Sequence, residues 1–317
     1  MGRKMSQARY NGQELKIYEY DSNIIYPNLT CFYCSAKVHH VQVHKRNLGD
    51  RVVTINAYFR LNPNQQHMDM CKYTIDGALS NIYAKCADNE LMSKENNYYQ
   101  VRLLLPFDNT DNKEANLNKS PDTGNKSSRT NLNYISNGKK TAYLSTMEKI
   151  LKLRTEVESN SDLGRKLKLK FYSSSKKNLD IPWEKFYFDA TSKRDYIHLW
   201  NYLQTQPQHP VCIDGFVKSF SKIKSGKYAL TLEAVKLSKN PEQKDRRVSV
   251  SYYFPREEIV SNLEIKVGSR VVVYSKCTSK PIEEWSPKND TSLLPKKIFY
   301  HSIFGDINDK KQIYFPE

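Results

Sequence analysis

Long apolar runs are missing from this chain of 317 residues. No stretch reaches the roughly 18 consecutive apolar residues that a membrane-spanning helix needs, and no apolar core of a secretion signal follows the basic N-terminus. The expectation is a soluble cytoplasmic protein with no membrane partner. Met1–Ser6 fits the loose acylation template M-G-x-x-x-[ST], but so short a template carries little weight and the segment is read as an ordinary basic start. Cysteine is scarce as well: six (Cys31, Cys34, Cys71, Cys86, Cys212 and Cys277) are too few for a disulfide framework at this length, which points to a reducing compartment. The phosphate-cradling loop of nucleotide hydrolases, the dinucleotide fingerprint G-x-G-x-x-G, the nucleophile elbow G-x-S-x-G and the zinc-protease H-E-x-x-H are all absent. A non-enzymatic binding protein is therefore the first expectation. Acidic residues are also in deficit, 34 against 50 Lys and Arg for a net charge of +16, so an anionic partner is implied. Nucleic acid is the first candidate for that partner.

What the chain does contain begins at Cys31. Cys31-Phe32-Tyr33-Cys34 supplies two thiols at C-x2-C spacing, and His67-Met68-Asp69-Met70-Cys71 supplies an imidazole and a third thiol at H-x3-C spacing. A C-x2-C turn lets both sulfurs reach one cation at tetrahedral angles, and H-x3-C suits a helical first turn or a tight loop. Cys31, Cys34, His67 and Cys71 are read as a structural Zn2+ site, closed by four protein ligands. Cys86 could replace His67, and His39, His40 and His44 lie near in sequence. The 32 intervening residues fit two strands, Val38 to Val43 and Arg51 to Arg60, joined at Asn47-Leu48-Gly49-Asp50.

The expected fold class is α+β, in four parts. Residues 1–107 form a β-rich zinc-ribbon-like domain, with a strand over 15–20, a helix within 74–92 and a last strand over 98–105. Residues 108–140, dominated by Asn, Asp, Lys, Ser, Thr and Gly, read as a disordered linker. Residues 141–209 form a basic segment, with a helix capped at Ser145-Thr146-Met147-Glu148 and another over 195–203. Between Lys139 and Lys177, eleven basic residues face four acidic ones, a net +7, and Arg165 to Tyr172 alternates basic with apolar residues as a strand with one basic face would. From 210 to 317, strands at 211–217, 228–235 and 248–254, a short helix at 256–263, then strands at 265–274 and 297–304 follow the order of an OB-like small β-barrel.

Cys31, Cys34, Tyr58-Phe59-Arg60, His67 and Cys71 together resemble the zinc-ribbon-like N-terminal region of CoiA-like competence proteins. About forty residues are covered, and the resemblance implies DNA-related work. Those proteins resemble nucleases further along, and that half finds no match here.

Function is expected in the basic second half. Lys166, Lys168, Lys170, Lys224, Arg246 and Arg247 would meet phosphates, while bases would stack on Phe220, Tyr228, Tyr252 or Tyr253. Single-stranded DNA is the preferred partner over RNA, with a protein partner possible through the zinc domain. The Lys-, Asn- and Tyr-rich composition suits an AT-rich bacterial genome, phage or mobile element. One alternative is a metal-dependent nuclease or defence-complex subunit using Asp245, Glu264 and Lys266, which imitate D…E-x-K spacing. Another is a protein-interaction adaptor.

Overall fold

The computed structural model describes residues 3–47, 52–86, 91–104, 137–157, 160–173, 176–189, 193–207, 209–237, 245–261, 263–286 and 297–316. Most of the linker expected at 108–140 falls outside these residues. The architecture is mostly β with few helices, and its apolar side chains gather in three cores.

The first core belongs to the N-terminal unit. Strands β1 (Gln7–Tyr10) and β2 (Gln13–Lys16) form a hairpin around Asn11-Gly12, both at positive φ, the pairing that a two-residue turn favours. Strand β3 (Thr30–Cys31) adds to β1 with Ala8 opposite Cys31. The strand expected over 15–20 stops at Lys16, where Ile17–Glu19 tightens into a 3-10 turn closed by the Glu19 carboxylate on the Lys16 amide. One long hairpin then runs out as β4 (Val38–Val41) and β5 (His44–Asn47) and returns as β6 (Val52–Ile55) and β7 (Tyr58–Leu61). Met5 and Phe59 exchange backbone hydrogen bonds at 3.0 and 2.8 Å, which seals this core.

The middle unit comprises α1 (Ile75–Ala84), β8 (Met92–Glu95), β9 (Tyr98–Leu103), α2 (Asn137–Glu156), α3 (Asn160–Gly164), β10 (Leu167–Ser173) and β11 (Lys176–Ile181). Its sheet has the order β11-β10-β9-β8, with β9 and β10 parallel from Tyr99 opposite Leu167 to Leu103 opposite Phe171. The domain boundary expected at 107 therefore divides a sheet, and residues 75–103 share a core with 142–187 instead of closing the zinc unit. Helix α2 starts well before Ser145, so the expected cap is an interior turn; Ser145 instead accepts a hydrogen bond from Lys311 Nζ at 2.8 Å. Tyr143, Leu144, Met147, Ile150 and Leu151 are buried at the three-and-four spacing that seats one helix face in a core.

The third unit contains β12 (Tyr187–Asp189), α4 (Lys193–Gln204), β13 (Val211–Lys222), β14 (Tyr228–Leu232), β15 (Val235–Lys236), β16 (Asp245–Phe254), β17 (Arg270–Ser275), β18 (Cys277–Ser279), β19 (Glu283–Trp285), β20 (Ile298–Asp306) and β21 (Ile313–Tyr314). Its sheet runs β18-β20-β16-β14-β13-β17-β21. The β16–β20 pair is parallel and the β13–β14, β14–β16 and β13–β17 pairs are antiparallel. Because only Lys276 separates β17 from β18, one bent strand pairs with both β13 and β20, and the sheet curls back on itself. The helix expected over 256–263 is a single 3-10 turn at Glu257–Ile259, because Ile259, Val260, Leu263 and Ile265 strap the chain down on the core. Gly215 serves close approach: a Cβ there would come within 3.0 Å of Leu232 and of the Tyr196 hydroxyl.

Candidate metal centre and nucleic-acid interface

The four expected metal ligands converge. Cys31 ends β3, and the following turn is pinned by Cys31 N–H on the Ala36 carbonyl (2.7 Å) and Val38 N–H on Leu29 (3.0 Å). Tyr33 N–H points at Cys31 Sγ (3.4 Å). His67 and Cys71 sit in the loop before α1, where Cys71 N–H bonds Met68 O at 3.1 Å and Met70 takes φ 60°. Thr74 caps α1 by accepting from Gly77 N–H at 2.9 Å. Gly77 packs against the carbonyls of Met70 and Cys71, and a Cβ there would stand within 3.0 Å of both oxygens.

The donor atoms of all four residues lie within 4.8 Å of one another. Cys31 Sγ to Cys71 Sγ is 3.7 Å, Cys34 Sγ to His67 Nδ1 is 3.4 Å and Cys71 Sγ to His67 Nδ1 is 3.6 Å. A tetrahedral cation with metal–sulfur bonds of 2.3 Å and metal–nitrogen bonds of 2.0–2.1 Å requires edges of about 3.8 Å for S···S and about 3.6 Å for S···N. The spacing fits a bound metal. Burial pushes the Cys31 thiol up to about 12 and holds the His67 imidazole below its ordinary range. The neutral ring is ready to ligate, and a cation would supply the charge that a buried thiolate needs. Cys86 is not a ligand: it packs against the middle core, 3.7 Å from Thr146 Oγ1. His39 pairs with Asn62, His40 stacks on Tyr20, and His44 bonds the Gln42 carbonyl.

The residues expected to meet nucleic acid divide among several surfaces. Lys166 pairs with Asp76 at 3.0 Å, and the Lys168 ammonium lies 3.6 Å from the centre of the Tyr98 ring. Lys168 and Lys170 alternate with buried Leu167, Leu169 and Phe171, so the expected basic strand face exists, on the middle sheet. Lys224 is exposed in the turn between β13 and β14. Phe220 stacks on Tyr228 at 5.5 Å and meets Phe254 edge-on at 5.7 Å. That pair packs against the third core, with the Tyr228 hydroxyl on Glu257. Tyr252 is a correction: its ring is wholly buried among the core residues, so no base can reach it.

Its neighbour faces outward. Along β16, Val248, Val250, Tyr252 and Phe254 point into the core, which turns Arg247, Ser249, Ser251 and Tyr253 to the outer side. The register sets Tyr253 beside Ala229, Ser251 between Thr231 and Phe304, Ser249 beside Ser302, and Arg247 beside Tyr300. Tyr253 and Phe304 lie parallel, 6.0 Å apart and 4° between planes, with the Lys280 ammonium 4.5 Å from the Phe304 centre. This outer face of β14, β16 and β20 is a pair of aromatic plates on a floor of small hydroxyl residues. Arg247 is held by Asp245 at 3.1 and 2.8 Å, and Arg246 is exposed. Sequence reasoning missed Phe304, Tyr300 and Lys280. The signal for Phe304 was its place in the closing strand, but only the β16–β20 register puts it beside Tyr253.

Asp245 is tied to Arg247, while Glu264 and Lys266 stand 90 and 79 % exposed, 4.0 Å from each other.

No family model matches the chain, and neither does any curated protein. Among solved structures, the single-stranded DNA-binding protein of Plasmodium falciparum, determined in complex with single-stranded DNA, is 17% identical. That match covers 34% of this chain and 94% of that one, with a TM-score of 0.19. The small single-stranded DNA-binding protein of Streptomyces coelicolor is 15% identical, with coverage of 31 and 94% and a TM-score of 0.17. At such TM-scores the reading of the site rests on its own geometry.

Proposed function

We propose that this chain is a non-enzymatic single-stranded DNA-binding protein whose C-terminal unit is an OB-type barrel and whose N-terminal unit is held by a structural Zn2+. The barrel reading is supported by the strand path: first, second, third, fifth, fourth and back to first for β13, β14, β16, β20 and the β17–β18 strand, with only β16–β20 parallel. OB-folds bind oligonucleotides on the face of their second and third strands, here β14 and β16. The observation that carries the function is the pair of parallel rings, Tyr253 and Phe304, on that face, because stacking on aromatic plates is how single strands are held without base-edge readout. Zinc is the cation that fits best, since three thiolates and one imidazole in a tetrahedron leave no open position for chemistry.

Oligonucleotide binding across a salt series tests the reading, with single- and double-stranded DNA and RNA as separate arms. Single-stranded DNA is expected to bind most tightly. Tyr253→Ala and Phe304→Ala should each cost about 1–3 kcal/mol. Equal affinity for duplex DNA, or wild-type affinity in the double variant, would refute it.

A further inference from the structure

A second cationic surface lies away from the aromatic plates. A cleft of about 840 Å3 opens between the N-terminal segment, the end of α1, helix α2 and the barrel wall at Phe216 and Arg270. Among the described residues its single carboxylate, Glu156, is taken up by Arg3, and Arg270 is taken up by Asp214. Lys72, Lys85, Lys149 and Lys152 also line it; all four are exposed, and none has an ion-pair partner among the described residues. Lys149 and Lys152 are three apart on α2, a spacing that sets like charges side by side and weakens a helix. Uncompensated cations drawn from three elements around one concavity raise a positive potential there, and a ligand carrying several negative charges would relieve it.

The walls point to the kind of polyanion. Tyr33 and Tyr58 line the same cleft, with Lys72 Nζ 4.5 Å from the Tyr33 ring centre and Lys4 Nζ 5.5 Å from that of Tyr58. Thr54, Asn56 and Asn81 add hydrogen-bonding groups. Several separated cations suit several separated phosphates, and aromatic rings beside them suit bases. We propose that this cleft is a second binding site for a single-stranded nucleic-acid segment, its phosphates on Lys85, Lys149 and Lys152 and its bases against Tyr33 and Tyr58. The inference extends the proposed function to a site that does not use the barrel's outer face.

The test compares three variants of the full chain, using a long single-stranded DNA across a salt series. The first is Lys85→Gln/Lys149→Gln/Lys152→Gln. The second is Tyr253→Ala/Phe304→Ala, and the third, a charge-matched control, is Lys45→Gln/Lys185→Gln/Lys310→Gln at exposed positions outside the cleft. Losing three phosphate contacts to a single strand should reduce the slope of log K against log salt by about 2 and weaken binding at least about tenfold at low salt. The control should leave the slope unchanged, and the ring variant should weaken binding without altering it. A cleft variant with wild-type slope and affinity overturns the cleft and leaves the barrel reading intact. A control that reduces the slope as far as the cleft variant also overturns it, since only total charge would then matter. A ring variant with wild-type affinity beside a weakened cleft variant upholds the cleft and refutes the barrel face. Melting curves matching wild type establish that the cleft variant is folded, and if it is not, Lys149→Gln alone carries the test, with an expected slope change of about 0.7.

Discussion

Single residues decide whether the metal cluster closes. Gly77 has no side chain to push against Met70 O and Cys71 O, so the first turn of α1 can seat directly on the loop that presents Cys71. Gly77→Ala should displace that loop, and we expect reduced zinc per mole of purified protein and a lower melting temperature than wild type. His209 is a second such residue. Its Nδ1–H donates to the Pro210 carbonyl at 2.8 Å, and Nε2 accepts from the Tyr202 hydroxyl at 2.6 Å, a neutral ring satisfied on both sides. Burial is the main reason its pKa sits below the usual 6.5, and the Lys185 charge adds to it. The unfolded chain therefore takes up a proton near pH 6.5 that the folded ring refuses, so stability contributed by His209 is full above that pH and is lost as pH falls through the lower folded value. His40 and His301 are shifted the same way by burial. Urea unfolding between pH 8 and 5 should show stability falling below about 6.5, with a shallower fall in His209→Gln. At this scale the convergence of Cys31, Cys34, His67 and Cys71 was legible in the sequence because the C-x2-C and H-x3-C spacings constrain it. The residues proposed to stack on bases were legible only in part: Tyr253 was named together with its neighbour Tyr252, and only the strand's facing separates a core residue from a surface ring.

Elements were readable where a local pattern fixed them. The alternation at Leu167 to Phe171 and the apolar stripe of Tyr196, Leu199 and Leu203 each produced the expected element. Asn11-Gly12 carried a hairpin signal that the apolar alternation from Leu15 onward obscured. The edge strands β12, β15, β18, β19 and β21 are two or three residues long and exist because a neighbour offers hydrogen bonds, which no local propensity encodes. Within the curled third sheet, β13 and β17 are joined by side chains as well as by the ladder. The Asp214 carboxylate is buried, receives the Tyr187 hydroxyl at 2.7 Å and is gripped by the Arg270 guanidinium through Nε at 2.9 Å and through Nη2. Burial raises its pKa in spite of Arg270. Arg270→Leu would strand this carboxylate and should destabilise the fold by about 3–5 kcal/mol in denaturant unfolding, with Asp214→Asn/Arg270→Leu recovering part of the loss.

At the scale of the molecule, Cys212, Val272 and Tyr274 of the third unit pack into the middle core, and polar contacts between distant positions add further ties. Arg3 pairs with Glu156, Arg154 reaches Asp189 at 3.4 Å, and the hydroxyls of Tyr143 and Tyr274 meet beside Leu104, whose carbonyl accepts from Tyr274 at 2.9 Å. Composition predicted a basic binder but could not reveal these ties, since they depend on which surfaces meet. The cluster that would hold the metal lies in one core only. Chelation should therefore release amide protection across the N-terminal unit while β13, β14 and β16 remain protected, a difference that hydrogen exchange resolves. Among the described residues no helix is long and apolar enough to cross a membrane.

The parallel pairing of β16 with β20 also governs how the chain is made. Val250 waits for Ile303 and Tyr253 for Asp306, both about fifty residues further along the chain. Everything the N-terminal unit needs, from Met5 to Tyr73, has by then left the ribosome. The first core can thus close early, while β16 stays an open strand edge beside unfilled apolar positions until residues 298–306 emerge, the kind of edge that recruits other chains. A chain cut short before Ile298 would yield an aggregating polypeptide rather than a weaker binder, so β20 acts as a checkpoint on the whole third unit.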